Sequence, residues 1–301
     1  MLNLPALRAV FGERLQENVI LAPFTSARIG GPADALITVK SADELAEAAA
    51  RLWEMDAPYF ILGGGSNVLV SDRGVRGVTV LNRAKEIRFS SGNRPKVWAE
   101  AGAGFSSLAN RAAERGLAGL EWAAAVPGTV GGAVYGNAGA FGGDVAGNLI
   151  FADVLTENGR ERWPVEKMEY GYRTSALKRS TLKFVILAAE LRLNHSTKEA
   201  VRFKIGEFVS KRKSTQPPGA SMGSMFKNPP GDHAGRLIEA AGLKGARIGN
   251  AEISALHGNF FVNHGNTKAS DIRALIELAQ KTVAEKFGVK LELEIEMIGD
   301  W

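Results

Sequence analysis

The chain has 301 residues and not one cysteine. Disulfides, thiolate nucleophiles and cysteine-ligated metals are thereby excluded. Its four histidines, His195, His233, His257 and His264, show no His-x-x-x-His spacing for zinc, so no metal is expected. No apolar stretch approaches the ~18 residues that cross a bilayer. From Met1 to Glu13 there is no basic segment followed by a continuous apolar core. Neither membrane insertion nor a signal peptide is expected, and the expected location is the cytoplasm. A long Lys/Arg block and an aromatic–basic strip are also missing, which speaks against nucleic acid as a partner. The net charge of +5 by itself suits anionic small molecules, nucleic acid, or simply solubility.

Glycine, by contrast, is abundant, with 35 residues against a usual share of ~7%. The glycines cluster, which suggests backbone wrapped closely around a ligand. Hydrophobic content of 45% and charged content of 23% are ordinary for a globular protein. The length allows two domains, or three small ones.

Local signals give a mixed α/β reading. Ser41-Ala-Asp-Glu44 is a capping box that opens a helix to about Glu54. Strands are predicted at Tyr59–Leu62, Val68–Val70, Gly77–Leu81, Lys96–Ala101, Ile150–Leu155 and Phe184–Leu193. Helices are predicted at Ser107–Arg115, from a second capping box at Ser196–Glu199, at Ala234–Ala241 and at Asp271–Phe287. The alternation Val289-Lys-Leu-Glu-Leu-Glu-Ile-Glu-Met297 predicts a strand with Leu291, Leu293, Ile295 and Met297 on one face.

Five stretches carry candidate chemistry. Gly63-Gly-Gly-Ser-Asn67 follows a strand and offers successive backbone N–H groups to phosphate oxygens, or forms a tight turn. It matches neither the Gly-x-Gly-x-x-Gly dinucleotide fingerprint nor the Gly-x-x-x-x-Gly-Lys-Ser/Thr phosphate loop. Pro127-Gly-Thr-Val-Gly-Gly-Ala133 with Gly136-Asn-Ala-Gly139 is small and nearly uncharged; it suits a flat cofactor or a crossing of backbones. In Tyr172-Arg-Thr-Ser175, Arg173 is a surface arginine or a clamp for a carboxylate. Gly219-Ala-Ser-Met-Gly-Ser-Met-Phe-Lys-Asn-Pro-Pro230 sets two hydroxyls near Lys227 and Asn228; a polar turn is the simpler local account. Glu292, Glu294 and Glu296 are a solvated face, or hold one functional carboxylate.

Taken together, these stretches resemble the UDP-N-acetylenolpyruvoylglucosamine reductase family of flavoenzymes. The matching blocks are Arg28–Ala33, Gly63–Asn67, Val126–Ala133, Asn137–Gly139, Tyr172–Ser175, Gly223–Pro229, Ala241–Gly245 and His257–Asn263, in the family's order. The resemblance implies an α+β protein with a vanillyl-alcohol-oxidase-like FAD-binding fold of two subdomains and a C-terminal α/β substrate domain. The implied segments are 1–75 (joined by a strand at about 289–301), 76–195 and 196–288. It implies FAD as cofactor, NADPH as hydride-donating co-substrate and UDP-N-acetylenolpyruvoylglucosamine as substrate, in a monomer. The product would be UDP-N-acetylmuramate, a peptidoglycan precursor. An FAD-dependent oxidase of a hydroxy acid or sugar on the same cofactor fold is the alternative.

The resemblance also assigns residues. Ser224 aligns with the proton donor, Arg173 with the arginine that polarises the substrate carboxylate, and Glu294 with the glutamate that helps stabilise the enolate. Cofactor contacts are implied for Ile29, Gly63, Gly64, Gly65, Ser66, Asn67, Pro127, Gly128, Thr129, Gly132, Asn137, Ala138, Gly139 and Arg212. Substrate contacts are implied for Tyr172, Lys227, Asn228 and Asn259. Leu293 and Glu296 stand where the family usually has proline and a basic residue. The insertion that places a tyrosine over the substrate diphosphate in long forms is missing, so the chain resembles the short class.

Overall fold

The computed structural model describes residues 2–301. Two compact units emerge, one comprising the residues up to Leu36, Gly65–Thr79 and Lys213–Trp301, the other Ile37–Gly64 and Val80–Arg212. The chain passes from one to the other between Gly64 and Gly65, inside the first glycine loop.

The second unit is built on a five-stranded antiparallel sheet. Its order is Gly159–Pro164, Leu149–Thr156, Phe184–Arg192, Lys96–Glu100, Ile87–Ser90. The central strand is buried from Val185 to Ala189, on both faces, which is why it is a continuous apolar run rather than an alternation. Helix Ala42–Glu54 starts where the capping box places it: Ser41 accepts from the Glu44 N–H at 3.1 Å, and Glu44 accepts from the Lys40 N–H at 2.8 Å. Leu45, Ala48, Ala49 and Leu52 fall on one face at helical spacing and are buried. Burying each leucine contributes about 1.5–3 kcal/mol.

Helix Lys198–Thr215 packs Val201, Ile205, Phe208 and Val209 onto this unit's core, with Phe208 stacked on Phe141. The hydroxyl accepting at its start belongs to Thr197, which takes the Ala200 N–H at 3.2 Å; the capping box predicted from Ser196 starts one residue early. One more residue brings the oxygen within reach of the exposed N–H groups.

The other unit holds helices Ala234–Ala240 and Ala269–Phe287 and a small antiparallel sheet of Arg247–Ile248, Ala251–Ile253 and Phe261–Asn263. Their apolar faces meet in a core containing Met222, Met225, Phe226, Ile238, Phe261 and Ile276. Asp72 accepts the Ala269 and Ser270 N–H groups at 2.7 and 2.9 Å, capping the long helix from nearly two hundred residues away.

The predicted C-terminal strand 289–297 is not one strand. Leu293 pairs with Phe226, the chain bends at Glu294–Ile295, and Glu296–Ile298 then runs parallel to Val68–Val70. Alternation set the burial, since Leu291 and Ile295 are core and Leu293 and Met297 pack against it. It does not set the pairing, because the partner changes midway. Among the described residues no helix is long and apolar enough to cross a membrane, and no group of three His, Asp or Glu could hold a metal ion.

Candidate active site

In the second unit the two glycine-rich loops meet backbone to backbone. A Cβ at Gly63 would overlap the Thr129 hydroxyl, and one at Gly64 would lie 3.0 Å from the Gly128 Cα. Only glycine permits this approach, so the clustering seen in the sequence has a steric cause. Thr129 precedes helix Val130–Gly136, yet its side chain makes no cap bond. The first two helical N–H groups are spent on strand-end carbonyls, Val130 on Ala103 and Gly131 on Ala101, at 2.9 and 2.8 Å. Gly64, Pro127 and Gly132 are exposed on this surface, and half-buried Arg83 donates to the Gly63 carbonyl at 2.9 Å. A small, uncharged cradle with a hydroxyl and a cation at hand fits the diphosphate and ring edges of a flavin dinucleotide.

Asn137–Gly139 and Tyr172–Ser175, far apart in sequence, also come together in this unit. Asn137 takes a left-handed conformation that ends helix Val130–Gly136, and its amide donates to the Gly171 carbonyl at 3.1 Å. Its oxygen accepts from the Ala146 N–H, so the buried carboxamide is structural on both sides. Ala138 is held between the Ala133 carbonyl and the Val145 N–H. Arg173 sits at φ +56°, with one guanidinium nitrogen donating to the Gly139 carbonyl at 2.7 Å and its charge 5.3 Å from the Tyr172 ring. Fully buried Ser175 pins the turn by donating to the Tyr135 carbonyl at 2.7 Å and accepting from Lys178. A strained arginine held this way is presented, not free to wander. Half-buried Arg212 belongs to the same unit, and burial pushes its pKa down.

In the other unit, the Gly219–Pro230 stretch is not a free surface turn but irregular chain tied down by isolated bridges. Ala220 bridges to Asn263, Ser224 to Phe260 and Phe226 to Leu293. Lys227 donates its N–H to the Glu292 carbonyl, and the Glu294 N–H donates to Met225, at 2.8 and 2.9 Å. The segments carrying Ser224 and Glu294, seventy residues apart in the chain, thereby run side by side. The Lys227 ammonium lies 3.4 Å from the Glu292 carboxylate. Asn228 is exposed, and its oxygen accepts the Ala234 N–H at the start of a helix.

Asn259 is the clamp of this arrangement. Its oxygen accepts the Phe226 N–H at 2.9 Å, its amide donates to the Phe226 carbonyl at 2.8 Å, and its own carbonyl accepts from Met225. With its carboxamide spent on Phe226, it positions Ser224 and Lys227.

A cavity of about 300 Å³ opens beside Ser224, lined also by Asn228, His233, Arg236 and His257. The His257 Nδ1 accepts the Asn259 N–H at 3.1 Å, which leaves Nε2 as the ring nitrogen free to donate, and burial holds its pKa below the usual value. His257 lies inside one of the motif blocks, but a lone histidine after Leu256 carries no signal of its own in the sequence.

Also in this unit, Gly65 at φ +60° packs on Phe24 and Thr25, and its carbonyl accepts from Ser26. Ser66 is half-buried beside it. The Asn67 amide donates to the Glu294 carbonyl at 3.1 Å, and its carbonyl accepts from Glu296. Ile29 is buried, with its backbone N–H and carbonyl both tied to the Thr25 hydroxyl.

Residues 33–163 match the family model of an FAD binding domain, and residues 214–298 that of the UDP-N-acetylenolpyruvoylglucosamine reductase C-terminal domain. The chain is 46% identical to the UDP-N-acetylenolpyruvoylglucosamine reductase of Chloroflexus aggregans over 290 residues, 94% of this chain and 97% of that one. The chain belongs to the UDP-N-acetylenolpyruvoylglucosamine reductase family. The family's enzyme from Bacillus subtilis is 41% identical over 94% of this chain and 93% of its own. The crystal structure from Thermus caldophilus superposes with a TM-score of 0.81 at 36% identity, covering 95% of this chain and 99% of that one. The expected FAD-binding fold with a C-terminal substrate domain therefore holds. The first of these two family segments spans both glycine loops, and the second spans Ser224, Asn259 and Glu294.

Proposed function

We propose that this protein is the FAD-dependent reductase that converts UDP-N-acetylenolpyruvoylglucosamine to UDP-N-acetylmuramate with NADPH as reductant. Family membership along almost the whole chain carries this reading. When bound, FAD would supply the hydride chemistry between NADPH and the enolpyruvyl group. The cradle of Gly63, Gly64, Gly128 and Thr129 would hold the dinucleotide, with Ile29, Gly65, Ser66, Asn67, Pro127, Gly132, Asn137, Ala138, Gly139 and Arg212 completing or supporting its site.

The reduction adds a hydride to one alkene carbon and a proton to the other, next to the carboxylate. Ser224 delivers that proton. A hydroxyl is a weak acid, so it needs a fixed position, which Asn259 supplies through its bonds to Phe226 and Met225. The negative charge that develops on the carboxylate is met by Arg173, and Glu294 assists it. Tyr172 and Asn228 bind substrate. Residues 1–75 with 289–301, and residues 76–195, would serve the cofactor, and residues 196–288 the substrate, in a cytoplasmic monomer.

An anaerobic absorbance experiment tests it. NADPH should bleach the flavin band near ~450 nm, and UDP-N-acetylenolpyruvoylglucosamine should restore it. Bleaching with no return would give the flavin another acceptor and sink the reading.

A further inference from the structure

Arg83 is not among the cofactor contacts that the motif blocks imply, yet its surroundings are those of an anion-binding residue. It follows the strand Val75–Asn82 and is half-buried. One guanidinium nitrogen donates to the Gly63 carbonyl at 2.9 Å and lies 3.4 Å from the Asn82 carbonyl. No carboxylate pairs with it among the described residues. Burial lowers its pKa with no acidic group acting in the opposite sense. Of the five N–H groups of a guanidinium, those not donated to Gly63 have fork geometry suited to phosphate oxygens. A cation taken partly out of water with no counter-charge costs free energy, and a bound anion offsets it.

Its anchor tells which anion. The Gly63 carbonyl heads the loop that meets Gly128 and Thr129, where a Cβ would fill the gap. The helix N-terminus beside Thr129 cannot serve the anion with its first two N–H groups, because Ala103 and Ala101 take them. The cradle's backbone and hydroxyl are neutral, and Arg83 is the charge that touches it. We propose that Arg83 pairs with the diphosphate of FAD at the Gly63 loop, an assignment that rests on the flavoenzyme reading. NADPH and the UDP-sugar carry the same diphosphate chemistry, so the test must separate the three.

Apoprotein, stripped of flavin, is titrated with FAD by fluorescence quenching, and separately with riboflavin, NADPH and UDP, for wild type and Arg83→Gln. Losing one charged hydrogen-bonding partner should weaken FAD about 10- to 100-fold. Riboflavin, which has no phosphate, should bind both proteins equally, and so should UDP and NADPH. Chemical denaturation of the two apoproteins should show no loss of stability in Arg83→Gln, since an unpaired half-buried charge has been removed. Arg83→Lys, which keeps the charge but not the fork, should fall between the two in FAD affinity.

Equal FAD affinity in wild type and Arg83→Gln overturns the assignment while leaving the flavoenzyme reading in place. Weaker UDP or NADPH binding with unchanged FAD binding overturns it in favour of another diphosphate. Parallel losses of riboflavin affinity and apoprotein stability reduce Arg83 to a structural support of Gly63. Wild-type apoprotein that binds no FAD refutes the flavoenzyme reading itself.

Discussion

Asn259→Ala is the most informative single change. Asn259 and Phe226 are both buried, at 4% and 0% exposure, so water cannot readily replace the lost amide. The substitution orphans the Phe226 N–H and carbonyl, which now bond to the carboxamide at 2.9 and 2.8 Å. Leaving one buried polar group unsatisfied costs about 1–3 kcal/mol, so two should cost about 2–6 kcal/mol. Urea unfolding followed by circular dichroism measures this directly. Asn259→Asp keeps the acceptor for the N–H but sets a second oxygen against the Phe226 carbonyl in a buried place, so it should be no more stable. Function should suffer selectively. Ser224 lies two residues from the released Phe226, so flavin reoxidation by substrate should slow at least tenfold, with reduction by NADPH within about twofold of wild type. A stability change under ~0.5 kcal/mol, the ordinary scatter of surface changes, would show that the clamp does not hold the segment. Equal losses in the two half-reactions would show that it does not act through Ser224.

Ser224→Ala should leave flavin reduction nearly intact and slow reoxidation by orders of magnitude in single-turnover absorbance; equal losses would remove Ser224 as proton donor. Gly63→Ala should destabilise the apoprotein by about 1–3 kcal/mol through overpacking on the Thr129 hydroxyl, and a Gly63→Ala/Thr129→Ala double variant should recover part of that in denaturant midpoints. Non-recovery would mean the clash is not the cause. Asp72→Ala should cost about 0.5–2 kcal/mol as a lost helix cap. Burial raises the Asp72 pKa, but the Ser270 and Ala269 N–H groups outweigh it and leave it below 3.8. Its extra stability is therefore present above pH ~3.8 and lost as pH falls through the folded pKa; a wild-type advantage that persists undiminished at pH ~2 would contradict this. Glu292→Gln, Glu294→Gln and Glu296→Gln, assayed for reoxidation one at a time, should single out Glu294, and equal tolerance would return all three to a solvated face.

The sequence by itself determined the elements whose causes are local. The Ser41 capping box placed helix Ala42–Glu54 to the residue, and alternation from Val289 to Met297 marked which side chains enter the core. Glycine clustering announced close backbone approach, and ordered motif blocks named the family. Tertiary structure decided everything that depends on a partner distant in the chain. Alternation says which face is buried but not which strand lies alongside, so only the folded chain breaks the last strand between Phe226 and Val68–Val70. An asparagine's hydrogen bonds are invisible until its neighbours are known, so Asn259 became a clamp on Phe226 and Asn137 a tie to Gly171. Arg83 is one of 37 cations in the sequence; its burial against Gly63, without a counter-charge, exists only in three dimensions.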